Sequence, residues 1–316
     1  MKTRSDDGMA GPAIAARSRV PIFVLLLLTV FGGALRVFVL ELTFPVRLVG
    51  DEKYYTDGAS NIANGEGHIS RSMRAFRPPG QAFLLSQVAR PVQTGAVEDS
   101  NLKRYLYLQV LLGTLLVPLT GLLGWRLFDQ RTGLVAALIT SVYPSLIAFS
   151  HFLWSEILFS VLIMTALLFV VLADRSRSWL PVGMAGLAFG AATLTREVAI
   201  PVAGIAAVWW LLTAKRSQQR LAGAQGVLMI VIVVAVVAPW TIRNYSLFGR
   251  LVPVSTVGWF AIREGNTFSE ENGIAPDLRL LRPFRKDFFA IPDEMARRDF
   301  ARKEAIELIR EGQPSW

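Results

Sequence analysis

Hydrophobic residues gather into long runs separated by short polar punctuation, and the lengths of those runs set the fold. Pro21–Leu40, Leu106–Leu123, Leu134–Phe149, Phe152–Leu172, Trp179–Leu194, Val198–Thr213 and Ala222–Trp240 are apolar almost throughout. A helix needs roughly 20 residues to cross a bilayer, and the usual range begins near 17. The runs therefore predict about seven transmembrane helices in an all-α integral membrane protein. The fifth and sixth are marginal, and either is open to a partly re-entrant path. Between the first two runs lies a long external loop, 42–104. Within it, Thr56–Gly65 and Pro79–Val92 space their apolar residues at helical intervals, which predicts amphipathic helices along the membrane surface.

This pattern divides the chain into a tail (1–20), a transmembrane module (21–240) and an external C-terminal segment (241–316). The last of these carries a charged stretch, Asp293–Glu311, that reads as a soluble helix. Gln313-Pro314-Ser315-Trp316 follow without another apolar run. A soluble tail and further spans beyond it are both compatible with that pattern.

Composition agrees with the membrane reading: 53% of the 316 residues are hydrophobic and mean hydropathy is +0.43. Charge then orients the helices. Positive residues recur at every second connection: Lys2, Arg4, Arg17 and Arg19, then Arg126/Arg131, Arg175/Arg177 and Lys215/Arg216/Arg220. The alternate connections, at Ser150-His151 and Arg196-Glu197, carry no net positive charge. Basic loops stay in the cytoplasm, so the N-terminus is expected there. The loop holding Asp51 and everything after Trp240 then face the other side. Contact with anionic lipid heads accounts for the net charge of +9, and no nucleic-acid partner is expected. The chain has no Cys and only two His, which excludes disulfides and thiolate chemistry and argues against a His-rich metal site. The first run is too long for a signal peptide and lacks a small-residue cleavage site, so it reads as an uncleaved span.

Candidate chemistry collects at the external ends of the runs. Asp51 and Glu52 open the external loop, where a carboxylate can accept a proton from an incoming hydroxyl. The plainer alternative is that they start a surface helix. Tyr54 and Tyr55 suit the interface, Tyr55 being the candidate for substrate contact. Arg77-Pro78-Pro79-Gly80 is a rigid turn, and Arg71, Arg74 and Arg77 recur every third residue, a spacing open either to phosphate binding or to plain attraction for lipid heads. Glu156 lies buried within an otherwise apolar run, beside His151 and Trp154 near the outer surface, where an acid faces a cavity or a partner. Arg196 either pairs with its neighbour Glu197 or offers a fixed positive charge to a leaving phosphate. Arg243 follows Pro239-Trp240, where the proline is expected to end the helix, and is either an anchor or a further phosphate ligand.

Taken in order, these pieces resemble the GT-C superfamily of integral-membrane glycosyltransferases, in particular the protein-mannosyltransferase and aminoarabinose-transferase type called family 39-like. The matching elements are Gly50-Asp51-Glu52 with Tyr55, Gly65-Glu66-Gly67, Arg77-Pro78-Pro79-Gly80, Leu153-Trp154-Ser155-Glu156, Leu194-Thr195-Arg196-Glu197, and Pro239-Trp240 through Arg243-Asn244-Tyr245 with Phe248-Gly249. The resemblance implies a seven-span module that moves a sugar from a polyprenyl-phosphate carrier to a lipid, glycan or protein acceptor, usually with inversion, on the non-cytoplasmic face of a bacterial inner membrane. It casts Asp51, with Glu52 beside it, as base, and Arg196, Arg77 and Arg243 as carrier-phosphate ligands. Some distant members use a divalent metal; the acids here do not require one, and no cofactor is implied. Members commonly continue into further spans and an external domain, which leaves substrate choice open. Two other classes compete: a lipid-glycan transporter or flippase, and an inactive subunit of an envelope-glycan assembly. A transporter would line its path with charges inside the spans, whereas here the acids gather at one outer face.

Overall fold

A computed structural model of the chain describes residues 20–44, 47–89, 99–176, 178–267 and 278–310. The N-terminal tail, Arg177, the end of the Pro79–Val92 stretch and the final Gln313–Trp316 lie outside the described residues. The described residues are helical and contain no strand, only one isolated bridge between Ser70 and Met73. In chain order the helices are α1 (Val20–Thr43), α2 (Glu52–Ala63), α3 (Gly80–Ser86), α4 (Asp99–Leu127), α5 (Gln130–Val142), α6 (Pro144–Phe149), α7 (Glu156–Ser176), α8 (Trp179–Thr195), α9 (Ala199–Thr213), α10 (Gln219–Phe248), α11 (Gly258–Gly265), α12 (Leu278–Ala290) and α13 (Glu294–Arg310).

The apolar runs are helical, and among the described residues four helices, α1, α4, α7 and α10, are long and apolar enough to cross a membrane. The protein is a multi-pass integral membrane protein. The fifth and sixth runs form α8 and α9, with 17 and 15 residues. The third run is not one helix. It breaks at Tyr143, whose ψ of 116° is extended, because the ring of Pro144 pushes the preceding residue out of the helical region. The break frees carbonyls at the end of α5, and a buried arginine takes them up. Arg36 of α1, fully enclosed, donates to Thr140 O at 3.1 Å, Ser141 O at 3.1 Å and Gly32 O at 2.9 Å. Backbone oxygens with no helical partner must bond something when water is excluded.

The seventh run also differs from expectation. Pro239 does not end it: α10 runs 30 residues, with Pro239 inside. Termination comes at Gly249, whose φ of 62° provides the left-handed cap. Arg243, Asn244 and Tyr245 therefore sit on a helix rather than in a loop.

Two packing regions position the site. In the bundle, α7, α8, α9 and α10 share a core of small residues around Phe189, Trp210 and Met229. At Gly190 a Cβ would lie 2.6 Å from Val236, so α8 and α10 approach as closely as glycine allows, the usual device where lipid removes the hydrophobic drive between helices. At one end of the bundle, the first loop and the C-terminal segment fuse into one aromatic cap. Tyr54, Met73 and Phe76 of the loop pack with Phe260, Phe284 and Phe288. Glu294 of α13, nearly enclosed, accepts the Arg74 N–H at 2.6 Å, the Ala75 N–H at 3.0 Å and the Thr256 hydroxyl at 2.9 Å.

Candidate active site

Beside this cap lies a cavity of about 260 Å³ lined by Asp51, Tyr55, Arg77, Ser155, Glu156, Arg196 and Glu197, together with Ser255 and Gly258. Residues more than 200 positions apart meet here, from the turn before α2 to the segment between α10 and α11. Asp51 precedes α2 and follows Gly50, whose left-handed φ of 56° forms the turn into that helix. Glu156 opens α7 and Arg196 caps α8.

The charged groups pair across elements rather than along the chain. Arg77 donates to Asp51 Oδ1 at 2.6 Å and Arg196 to Glu156 Oε1 at 2.5 Å. All four side chains keep between 24% and 41% of their surface exposed, so both pairs are open to exchange with a ligand. Arg196 does not pair with Glu197. That carboxylate accepts the Ser255 N–H and hydroxyl, both at 2.7 Å, and so fixes the cavity wall. Two polar atoms of the cavity residues, Glu156 Oε2 and Arg77 Nε, are buried without a hydrogen bond. Tyr55 is 4% exposed and its hydroxyl donates to Ser155 Oγ at 3.3 Å. Burial pushes that phenol above its ordinary pKa, against the smaller pull of the Ser155 hydrogen bond. It acts as a neutral donor.

Residues 93–242, just under half of the chain, match a family model described as dolichyl-phosphate-mannose-protein mannosyltransferase. Over nearly its whole length the chain also superposes on the oligosaccharyltransferase of Archaeoglobus fulgidus: its apo crystal structure covers 95% of this chain at a TM-score of 0.62 and 15% identity. The fold is that of the GT-C superfamily. A second structure, the archaeal oligosaccharyltransferase AglB from the same organism in complex with an inhibitory peptide and a dolichol-phosphate, covers 93% at a TM-score of 0.54 and 16% identity. The chain spans 40% and 39% of the length of these two proteins. No curated protein sequence matches it.

Within the GT-C frame, five of the seven residues singled out from sequence line the cavity: Asp51, Tyr55, Arg77, Glu156 and Arg196. Glu52 does not. It is 1% exposed, and its carboxylate accepts the Val49 N–H at 2.7 Å and the Leu153 N–H at 2.9 Å. Pointing about 100° around the helix from its neighbour, it fastens the loop to the start of α7 and has no route to a substrate. Arg243 also stands apart, donating to the carbonyls of Arg74 and His68 and stacking on Trp240. Nor do Arg71, Arg74 and Arg77 form one face. Arg71 and Ser72 both take left-handed φ values, 48° and 64°, and Arg71 lies over the Tyr54 ring. Only Arg77 of the three lines the cavity.

Sequence reading missed Ser155, Ser255 and the wall-fixing role of Glu197. Ser155 sits beside Glu156 in a recognised element, so its position was available. Ser255 carried no signal, since it reaches the cavity only by folding back from beyond α10. Among the described residues no group of three or more His, Asp or Glu side chains is arranged to hold a metal ion.

Proposed function

We propose that this chain is a membrane glycosyltransferase that moves a sugar from a polyprenyl-phosphate carrier to a hydroxyl-bearing lipid, glycan or protein. The seven apolar runs make one transmembrane module, with the cavity on the non-cytoplasmic face of a bacterial inner membrane. The observation that carries the reading is the meeting of one carboxylate, Asp51, with two exchangeable arginines, Arg77 and Arg196, in a single outer-face cavity.

The acceptor hydroxyl enters against Asp51. Its oxygen attacks the anomeric carbon of the carrier-linked sugar while its proton passes to the Asp51 carboxylate. The bond between that carbon and the phosphate oxygen breaks from the opposite side, which inverts the anomeric centre. The leaving polyprenyl phosphate takes the bonding electrons, and Arg196 turns from Glu156 to meet the new charge. Arg77, released from Asp51, completes the phosphate clamp. Glu156 holds Arg196 in place between turnovers. Tyr55, a neutral donor tied to Ser155, is placed to bind a sugar hydroxyl. The carrier is already activated, so the step uses only this chain's own groups.

The test replaces Asp51 with Asn in cells and compares lipid- and protein-linked glycans with the parent by mass spectrometry. Loss of one sugar from one glycan class, with the variant still present and folded in the membrane, is the expected result. An unchanged glycan profile in that variant would return the chain to the transporter or scaffold class.

A further inference from the structure

Arg77 has a second set of neighbours that the transfer step leaves unused. Its guanidinium lies 5.2 Å from the centre of the Phe76 ring and 5.8 Å from that of Tyr54. Both distances fall within cation–π range. Its hydrogen bonding is sparse by comparison. Among the described residues Asp51 is the one hydrogen-bond partner of that side chain, at 2.6 Å, and Arg77 Nε is buried with no acceptor. Two ring faces and one exchangeable carboxylate therefore hold the charge.

The two kinds of contact behave differently when a ligand arrives. A ring face attracts a cation without using an N–H donor and without cancelling its charge. A second carboxylate would do both. In the proposed transfer, Asp51 takes up a proton and loses its negative charge just as Arg77 leaves it. The rings are then what keeps the guanidinium at the cavity, with its donors free for the incoming anion.

The rings themselves are anchored. Phe76 packs against Tyr54, Phe260 and Phe288, with ring centres 5.5, 5.7 and 5.9 Å away, and is buried. Glu294 fixes the backbone beside it through the Ala75 N–H. Phe76 thus cannot follow the guanidinium and serves as a fixed point. Tyr54 is the weaker half of the pair, because its ring also carries Arg71 at 4.9 Å.

We infer that Phe76, with Tyr54 beside it, is a positioning residue for Arg77: the ring faces hold the guanidinium at the cavity while it exchanges Asp51 for the carrier phosphate. Through Phe76 the packing of α11 and α12 reaches the phosphate clamp. The inference rests on the proposed function for the reaction in which that exchange occurs.

Rates of sugar restoration test it. The glycan sugar missing from a deletion strain is followed by mass spectrometry after each variant is induced, per amount of folded protein in the membrane. A trifluorinated phenylalanine in place of Phe76 keeps the shape of the ring and drains negative charge from its face. The rate should then fall roughly fivefold to thirtyfold, with unfolding temperature close to the parent. Phe76→Leu should fall at least as far and Tyr54→Leu less, whereas Tyr54→Phe, which keeps the ring, should stay at the parent rate. In an Arg77→Gln background the same fluorination should change nothing further. An unchanged rate with the fluorinated ring, or an equal loss with and without the arginine, would overturn the positioning role and leave the transferase reading standing. A deletion strain with no missing sugar, or Asp51→Asn restoring it at the parent rate, would sink the transferase reading and this inference with it.

Discussion

Asp51 and Glu52 are neighbours in sequence and opposites in structure. Asp51, 37% exposed, faces a cavity and pairs with the Arg77 side chain. Glu52 is sealed from solvent and bound to two backbone N–H groups. The same contrast repeats across the outer layer. Glu156 pairs with a side chain that can leave, whereas Glu197 and Glu294 accept backbone N–H groups that cannot. A carboxylate spent on the backbone builds the site, and one spent on a mobile side chain is free to work in it. Partner mobility, more than residue type, separates chemistry from scaffolding.

The sharpest way to break this comparison is to set the two neighbours against each other. Asp51→Asn keeps an oxygen in place and removes the proposed proton acceptor. Glycan transfer by membranes carrying it should fall by roughly 10²–10⁴-fold, the usual worth of a general base, with thermal unfolding close to the parent. Glu52→Ala should do the reverse in kind. It strands the buried Leu153 N–H at about 1–3 kcal/mol and releases the part-buried Val49 N–H, so unfolding in detergent should come at clearly lower temperature, and activity should track the amount of folded protein. A Glu52 variant that is stable yet inactive would erase the distinction.

Glu294 extends the test to the cap. Glu294→Ala removes the acceptor for Arg74, Ala75 and Thr256, and should loosen the 71–77 turn from α13. Hydrogen exchange at Arg74 and Ala75 should accelerate well before global unfolding, with a stability loss of about 2–4 kcal/mol. Protection unchanged at those amides would show that the cap holds without it.

Acid provides a milder probe. Burial lowers the pKa of His68 and of His151, so the unfolded chain takes up these protons first. Their contribution to stability is whole above the unfolded value of about 6.5 and is lost as pH falls through it toward the folded values. Unfolding temperature should therefore drop between about pH 7.5 and about pH 5.5, and His68→Gln should flatten part of that drop. The smallest effect belongs to Arg250 and Asp299, an exposed pair on the cap. Hydrogen bonding to Arg250 lowers the Asp299 pKa, yet water screens such pairs, and Arg250→Gln should leave unfolding unchanged at neutral pH.

Much of the fold was legible because apolar run length is a local property that lipid enforces directly. Six of the seven runs each coincide largely with one helix, the third splits into α5 and α6, and the charged stretch that begins at Asp293 forms α13 (Glu294–Arg310). The misreadings arose where one residue's effect depends on a distant partner. Pro144 broke its run and Pro239 did not, although both sit among apolar residues. The bend at Pro144 is compensated by Arg36, more than 100 positions earlier, whereas α10 continues through Pro239 to a glycine cap. Arg36 itself went unremarked inside the first run, since nothing local marks the carbonyls it serves.

What the sequence determined alone is the set of helices and the level at which its charges lie, because the spacing of apolar residues and the cost of burying charge in lipid act on each segment independently. Which charge meets which was decided only by tertiary structure. Asp51 with Arg77, Arg196 with Glu156 rather than with its neighbour Glu197, and Arg243 on the carbonyls of Arg74 and His68 all follow from helix crossings and side-chain direction. Those are set by close packing between segments that the linear order does not bring together.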